Sequence, residues 1–490
     1  MMPGNKLKTV TLVALNMKGY YSPAPYLLRD YALRDERVSA NYRFRVLDAP
    51  ILFPRRRRTY SITMGEHLKD FFRFAKAGAL GHWLKAQVKF SKYLFDVFTY
   101  IVYLWTLLRV LATRPGIVGF SCYIWNVRST LSMARWVRRV FPDAVIMLGG
   151  QEVTNSGDEF IREHPFIDFV VDGEGEETFK ETLLELLAAK DKKDIKDIPG
   201  LISRYGERYE KRDLIRDLDS VPSPFASLRK DPKALRRVAR STLGYMVETS
   251  RGCPFKCGFC FESEKFKTVR HFPIERVAEE IIGMSFFGIK KYHILDPVLC
   301  NSDIERLKAL ADIIRQALGS GNRLESGNSH LSVEVYAELL KEEMLDSLDV
   351  FTSFDVGLQS YNPHVLGRVN RYFQEEKFTR GIELLKRTKK YFAVYLIYGL
   401  PGETLYSFLK SVLYVISLQP PDVFVNHLCV LRGTPLRRDA SKEKLDYDPV
   451  PPYHIRSTAA MSPEDVERCL NLSTSFSKEF KAISVGVSEC

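Results

Sequence analysis

Ser250-Arg251-Gly252-Cys253-Pro254-Phe255-Lys256-Cys257-Gly258-Phe259-Cys260 gathers three cysteines within eight residues at the spacing CxxxCxxC. It directly follows Gly244–Thr249, a short apolar run that reads as a buried strand. Soft thiolates suit iron–sulfur clusters or zinc. A structural zinc site wants four ligands, usually paired CxxC or Cys/His units. No fourth ligand is evident here, since His271 is the only close histidine. An ordinary cubane cluster is held by four thiolates, so three leave one iron open. The competing readings are a zinc knuckle and three buried thiols.

Downstream, strand and helix patterns alternate. Strands are expected at Lys291–Leu295, Phe354–Gln359, Phe392–Tyr398 and Val423–Val430, with a weaker one near Arg323–Gly327. Helices are expected at Ile274–Phe287, Ser302–Leu318, Ser332–Glu343, Glu375–Arg387 and Thr404–Ile416. With Gly244–Thr249 these make six strands, a partial (β/α)6 barrel over 241–436 whose chemistry would sit at the strand C-termini. Residues 437–490 read as a small, Pro-rich and then helical C-terminal cap.

Upstream, residues 1–190 read as an α/β, doubly wound Rossmann-like domain. Its strands are Val10–Leu15, Phe44–Leu47, Ile117–Ser121, Ala144–Leu148 and Phe169–Val171. Such sheets bind ligands beyond the strand C-termini. The loops there include Ser121, Cys122 and Tyr123, then Gly149, Gly150, Gln151 and Glu152, then Gly173, Glu174, Gly175 and Glu176. Residues 191–240 form a polar connector broken by Pro199-Gly200 and Val221-Pro222-Ser223-Pro224.

A helical, basic insertion at 52–114 interrupts the first domain. Between Ile51 and Pro115 twelve Lys/Arg face three Asp/Glu, an excess of nine out of a net charge of +12. The remainder is close to neutral, which argues against a general nucleic-acid binder. Trp83, Phe90, Leu94, Val97, Ile101 and Leu104 form an apolar stripe, with Lys85, Lys89 and Lys92 on another face. Packing on the protein's own sheet, attachment to an anionic membrane surface, and docking of an anionic partner all fit this segment. The longest apolar run, Val97–Leu108, is too short for a bilayer, which needs about 20 residues. No secretory signal is expected, so the default location is the cytoplasm, with peripheral membrane attachment as the second reading. Eight cysteines in such a chain do not make a disulfide framework.

The CxxxCxxC run, with Phe259 before its last cysteine, resembles the radical S-adenosylmethionine (SAM) superfamily. Further likenesses follow in order. Asp296 stands where family members approach the SAM amino group, and Glu325 resembles the carboxylate that contacts the ribose. Phe354–Ser360, containing Gln359, resembles the GLQS strand. Tyr398-Gly399-Leu400-Pro401-Gly402-Glu403-Thr404 resembles the YGLPGET segment beside adenine. In the first half, Ile117–Asn126, Gly149–Thr154 and Asp168–Phe179 resemble the cobalamin-binding domain fused to many radical SAM enzymes. The resemblance covers most of the chain outside 52–113. It implies a class B radical SAM methyltransferase-like enzyme with a 4Fe-4S cluster on Cys253, Cys257 and Cys260, SAM and cobalamin. The implied reaction is C-methylation of an unactivated carbon through a 5′-deoxyadenosyl radical and methylcobalamin.

One departure concerns cobalt. None of the nine histidines has Asp two residues before it, so the DxHxxG signature is absent and no histidine ligand is expected. A cobalamin-dependent radical cyclase or rearrangement enzyme shares the same two domains. A non-enzymatic electron carrier would want every iron capped, and a cobalamin sensor would want an output module. Methylthiolation is disfavoured, because that family carries three further cluster cysteines upstream and Cys122 alone precedes Cys253. Cys300, Cys429, Cys469 and Cys490 are too dispersed for a second cluster. The expected partners are an unidentified substrate (small molecule, lipid or peptide) and an external electron donor.

Overall fold

A computed structural model describes residues 7–17, 20–51, 99–195, 197–206, 208–262, 269–299, 303–318 and 330–473. Most of the basic insertion (52–98), Glu325, the expected strand at 323–327, Cys300 and Cys490 lie outside the described residues.

The first sheet contains β1 (Lys8–Met17), β2 (Tyr42–Ile51), β3 (Ile117–Ser121), β4 (Val145–Gly149), β5 (Phe169–Val171) and β6 (Leu201–Ser203), in the order β2-β1-β3-β4-β5-β6. β1 to β5 pair in parallel, and β6 closes the edge antiparallel to β5. Helices cover both faces. Ile146 and Leu148 pack with Met133, Ala134 and Val137 of the helix Val127–Val140. Val145 and Met147 face Phe179 and Leu183 of the helix Gly175–Ala188. Burial on both faces is why these strands are apolar throughout rather than alternating. β6 falls in the stretch expected to be a connector, and its three residues are too few to carry a period.

The helix over 99–112 belongs to the insertion. It packs through Tyr103, Leu107, Val110 and Leu111. Ile101 and Leu104, the described end of the expected stripe, are instead 54% and 41% exposed, beside Trp105 at 55%. The face that packs is therefore not the one the spacing suggested. Among the described residues no helix is long and apolar enough to cross a membrane.

The second sheet is a partial barrel. Its strands are β7 (Tyr245–Val247), β10 (Lys291–Ile294), β11 (His330–Val335), β12 (Ser353–Gln359), β13 (Tyr391–Tyr398) and β14 (Asp422–His427), all parallel, in the order β14-β13-β12-β11-β10-β7. Helices Ile274–Phe286, Ile304–Leu318, Glu375–Arg387 and Leu405–Ser417 pack on its outer face. One expectation is corrected here. Ser332–Glu343 is not a helix: its first residues complete β11, and short 3-10 turns follow at Ala337–Leu339 and Glu342–Met344. Leu331, Val333 and Val335 alternate with Ser332 and Glu334, a strand period.

Between β7 and β10, β8 (Ser250–Arg251) and β9 (Arg270–His271) form a small antiparallel ribbon. The C-terminal segment adds a second ribbon, β15 (Asp446–Tyr447) with β16 (Ile455–Ser457), and a helix over 463–473. Polar contacts then join the two sheets. The Met246 amide donates to the Tyr21 hydroxyl at 2.8 Å, Arg237 pairs with Asp48 at 3.3 Å, and Arg432 pairs with Glu163 at 3.0 Å.

Candidate active site

The cluster loop leaves the barrel at the end of its first strand. Its backbone is held on both sides: the Gly258 amide donates to the Val369 carbonyl at 2.7 Å, and the Leu436 amide donates to the Gly258 carbonyl at 2.9 Å. Within the loop the Cys260 amide donates to the Cys257 carbonyl at 2.9 Å. Cys257 is buried, while Cys253 and Cys260 are partly accessible. Burial pushes the Cys260 thiol up to about 12, with the neighbouring Glu262, Cys257 and Cys253 adding to the rise. Cys253 is raised for the same leading reason. A metal must therefore displace these protons, as thiolate ligation always requires. Among the described residues no three His, Cys, Asp or Glu side chains converge on one ion. Thiolates that each bind a different iron of a cluster need no such convergence. A loop with three soft donors fits the cluster.

Residues that the sequence reading did not single out surround this loop. Phe255 stacks on Tyr336 with ring centres 4.1 Å apart. The Arg371 guanidinium lies 3.9 Å from the Tyr336 ring centre and 3.9 Å from Cys257 Sγ, and it also donates to the Gly357 carbonyl. A fixed cation therefore sits beside the Cys257 thiol.

The strand ends carry the other expected residues. Asp296, 1% exposed, ends the turn after β10 and points back at β7. Its carboxylate accepts from the Thr249 amide at 2.8 Å, the Ser250 amide at 3.0 Å, the Ser250 hydroxyl at 2.7 Å and the Thr249 hydroxyl. A carboxylate offers about four acceptor sites, so these bonds occupy it fully. Asp296 here fixes the segment leading into the cysteines and presents no free oxygen to a ligand.

Gln359 ends β12 in the left-handed region, with φ of 72°. Ser360, next to it, donates to Glu403 at 3.1 Å, and the Gly399 amide donates to the same carboxyl at 3.1 Å. Burial lifts Glu403 to about 8. The two motif segments are thus bolted together through one buried acid. Gly399, with φ of 87°, leaves no room for a side chain: a Cβ there would stand 2.6 Å from Ile455.

Glu334 on β11 faces the barrel lumen. It remains accessible to solvent, yet protein crowds it enough that lost hydration lifts its carboxyl to about 7, with Asp355 and Glu262 adding to the rise. The described third strand therefore presents Glu334. The alternation around Glu334 was the signal available in the sequence.

A cavity of about 520 Å³ lies between the two sheets. One wall is built from Asn16, Ser121, Tyr123, Trp125, Gly149, Gly150, Gln151, Gly173, Glu174, Gly175 and Glu176. The opposite wall contains Met246, Glu248, Ser250, Arg251, Gly252 and Glu262. Tyr123 and Trp125 stack in parallel with centres 4.5 Å apart. Gly150 has a φ of 114°, and a Cβ on it would meet the Cys122 carbonyl oxygen at 2.7 Å. Only glycine lets the two loops pack this closely at the cavity wall.

Two expected contacts face elsewhere. Cys122 is fully buried, donating its amide to the Gly149 carbonyl at 2.7 Å and accepting from the Glu152 amide at 3.1 Å. Glu152 turns away from the cavity, accepts the Tyr453 hydroxyl, and rises to about 7 through burial. Both lie behind the wall because their backbones knit the two loops together. Among the described residues no histidine lines the cavity.

Residues 106–183 match the family model "B12 binding domain", and residues 247–415 match "Radical SAM superfamily". A 2-(S-pantetheinyl)-carbapenam-3-carboxylate methyltransferase of Streptantibioticus cattleyicolor is 30% identical over 316 residues, 61% of this chain and 44% of its own. The cobalamin-dependent radical SAM methyltransferase TokK of Streptomyces tokunonensis is 27% identical, over 69% of this chain and 50% of its own. This chain spans about half the length of these curated relatives. The radical SAM methyltransferase TsrM from Kitasatospora setae shares the fold, with a TM-score of 0.62 at 18% identity, covering 95% of this chain and 82% of its own.

Proposed function

We propose that this chain, in which a B12-binding domain precedes a radical SAM domain, is a cobalamin-dependent radical SAM enzyme that methylates an unactivated carbon. The observation that carries this reading is the shared cavity. One wall is the set of strand ends of the B12-binding domain; the other is the Ser250–Gly252 segment that runs into Cys253. When bound, a site-open four-iron cluster supplies the electron that splits SAM, and cobalamin supplies a transferable methyl group.

The chain's own residues then bind, orient and exclude water. Cys253, Cys257 and Cys260 would hold the cluster. Arg371 sets positive charge beside it. Glu334 and Gln359 offer polar groups at the strand ends of the lumen, and Gly399 makes room for the Ile455 side chain beside its turn. Asp296 and Glu403 act on segments rather than on ligands, by fixing the ends of β7 and β12. Gly149, Gly150, Gln151, Gly173 and Gly175, with Ser121 and Tyr123, would bound cobalamin without a histidine at cobalt.

The test uses the full chain, reconstituted anaerobically with iron, sulfide and hydroxocobalamin and reduced by a chemical electron donor in the presence of SAM. Cells with and without the active protein, fed methyl-labelled methionine, are then compared for metabolites or peptides that gain a labelled methyl group. Label on carbon that depends on Cys253, Cys257 and Cys260 supports the reading. SAM cleavage with a cyclised or rearranged product and no methyl gain would favour the second reading. The anaerobic magnesium-protoporphyrin IX monomethyl ester cyclase of Rubrivivax gelatinosus, 25% identical over 60% of this chain, motivates that alternative.

We also propose that the basic insertion meets an anionic partner or membrane surface, supported by its charge and by exposed Ile101, Trp105 and Leu108. Each basic residue near an anionic membrane is worth about 1 kcal/mol. Sedimentation with anionic but not neutral liposomes, lost when Arg55 to Arg58 become Gln, is the expected result. Equal recovery from both would remove the membrane reading.

A further inference from the structure

The ribbon β8–β9 is the neck of the cluster loop. β8 ends at Arg251 and β9 begins at Arg270, and residues 252–269 between them carry all three cysteines. In this ribbon Arg251 pairs directly with Arg270. Like charges opposite each other across an antiparallel pair destabilise it. The pair therefore needs compensating negative charge.

The carboxylate that reaches both arginines comes from the other domain. Glu174 Oε1 accepts from Arg251 at 3.3 Å and from Arg270 at 2.9 Å, while its Oε2 accepts from Arg270 at 2.9 Å and from the Ile215 amide at 2.8 Å. Arg270 thus holds it with both prongs, the strongest geometry for such a pair. Arg251 also reaches Glu176 at 2.8 Å and Glu248 at 3.0 Å. Glu174 and Arg251 are both largely buried, so salt screens these pairs less than surface pairs. Glu174 and Glu176 come from the Gly173–Glu176 loop that also lines the cavity.

We propose that Glu174 and Arg251 are positioning residues: Glu174 of the B12-binding domain closes the neck of the cluster loop by neutralising the Arg251–Arg270 pair. This rests on the functional reading above for what the two loops hold. The consequence is that the neck of the cluster loop, beside its barrel contacts at Gly258, is tied to the cavity loop. Glu174, with Glu176 beside it, then helps set the separation between the two cofactor sites at the neck of the cluster loop. A misplacement of about 1 Å can cost reactions of this kind about a hundredfold, which gives the clamp its importance.

The test is amide hydrogen exchange on the full chain reconstituted with iron, sulfide and hydroxocobalamin. Glu174→Gln keeps the shape and removes the charge. It should raise exchange in 250–260, a segment of the other domain, by about tenfold or more, because buried charged hydrogen bonds are lost. Arg270→Gln added to Glu174→Gln removes the exposed repulsion and should bring exchange back to within about threefold of wild type. Arg251→Lys, which keeps charge but cannot fork between carboxylates, should give a smaller rise.

A role in packing alone would make the double variant no better than Glu174→Gln; that result overturns the proposal. So does a Glu174→Gln effect confined to 172–177. If Glu174→Gln does not fold, Arg251→Lys decides by whether exchange rises in 250–260 and 172–177 together or in neither. A wild-type chain that retains neither iron nor cobalamin would refute the functional reading, while the exchange comparison would still decide the clamp.

Discussion

Replacing Asp296 by Ala removes the acceptor for two backbone amides and two hydroxyls where β7 leads into β8, all of them buried. The hydroxyls of Thr249 and Ser250 can turn toward other acceptors; the two amides cannot. A buried donor left without a partner costs about 1–3 kcal/mol, so the amides alone give about 2–6 kcal/mol. Part of this is offset, because burial already disfavours the Asp296 charge and raises its carboxyl above the ordinary range. A net loss of about 2–4 kcal/mol remains. For a unit of the barrel's size each kcal/mol shifts the melting transition by about 2–4 °C, giving a drop of about 4–16 °C. Asp296→Asn keeps one oxygen for the amides and should lose only about 1 kcal/mol. Scanning calorimetry of the three proteins, each free of SAM, reads this directly. If Asp296 instead spent its carboxylate on a ligand, the ligand-free Ala variant would melt with wild type. A shift under about 1 °C would refute the positioning role.

Other outcomes follow from the same contacts. Gly150→Ala must displace the Cys122 carbonyl and adopt a φ of 114°, so hydroxocobalamin retained after gel filtration should fall about tenfold or more, with the cluster's iron content unchanged. Burial holds Glu403 near 8, so the folded chain keeps a proton that the unfolded chain releases above its ordinary value of 4.5. Its contribution to stability is thus full below that value and is lost as pH rises toward 8, at up to about 1.4 kcal/mol per pH unit. Wild type should lose melting temperature relative to Glu403→Gln between pH 5.5 and pH 8; parallel curves would count against this. Arg371→Gln removes a cation beside Cys257, so the cluster's reduction midpoint should move to more negative potential in an electrochemical titration.

Much of the fold was legible because its strands are buried on two faces. Ile117–Ser121 and Phe169–Val171 lie where the apolar runs placed them, and Glu375–Arg387 where the helical period did. β11 was misread for a physical reason. Tyr336, Leu339 and Leu340 continue its apolar residues at spacings of three and four, so a strand followed by 3-10 turns imitates one helix face. The cysteine loop was legible because its three thiols are close in sequence. The clamp was not: Glu174 meets Arg251 across 77 positions and Arg270 across 96, and no local pattern marks such a pair. Glu152 was read from its place beside Gly149 and Gly150, but only the fold shows Tyr453, 301 residues away, drawing it off the cavity.

The central claim is that Cys253, Cys257 and Cys260 carry a SAM-splitting cluster next to a cobalamin cavity. Its most direct test is 5′-deoxyadenosine released by the reduced, reconstituted full chain, measured beside a variant with all three cysteines changed to Ala. Steady release from a wild-type protein that retains cobalamin, and none from the variant, is the predicted result. Release from the variant at the wild-type rate, or no release from a wild-type chain with a full complement of iron, would contradict the account.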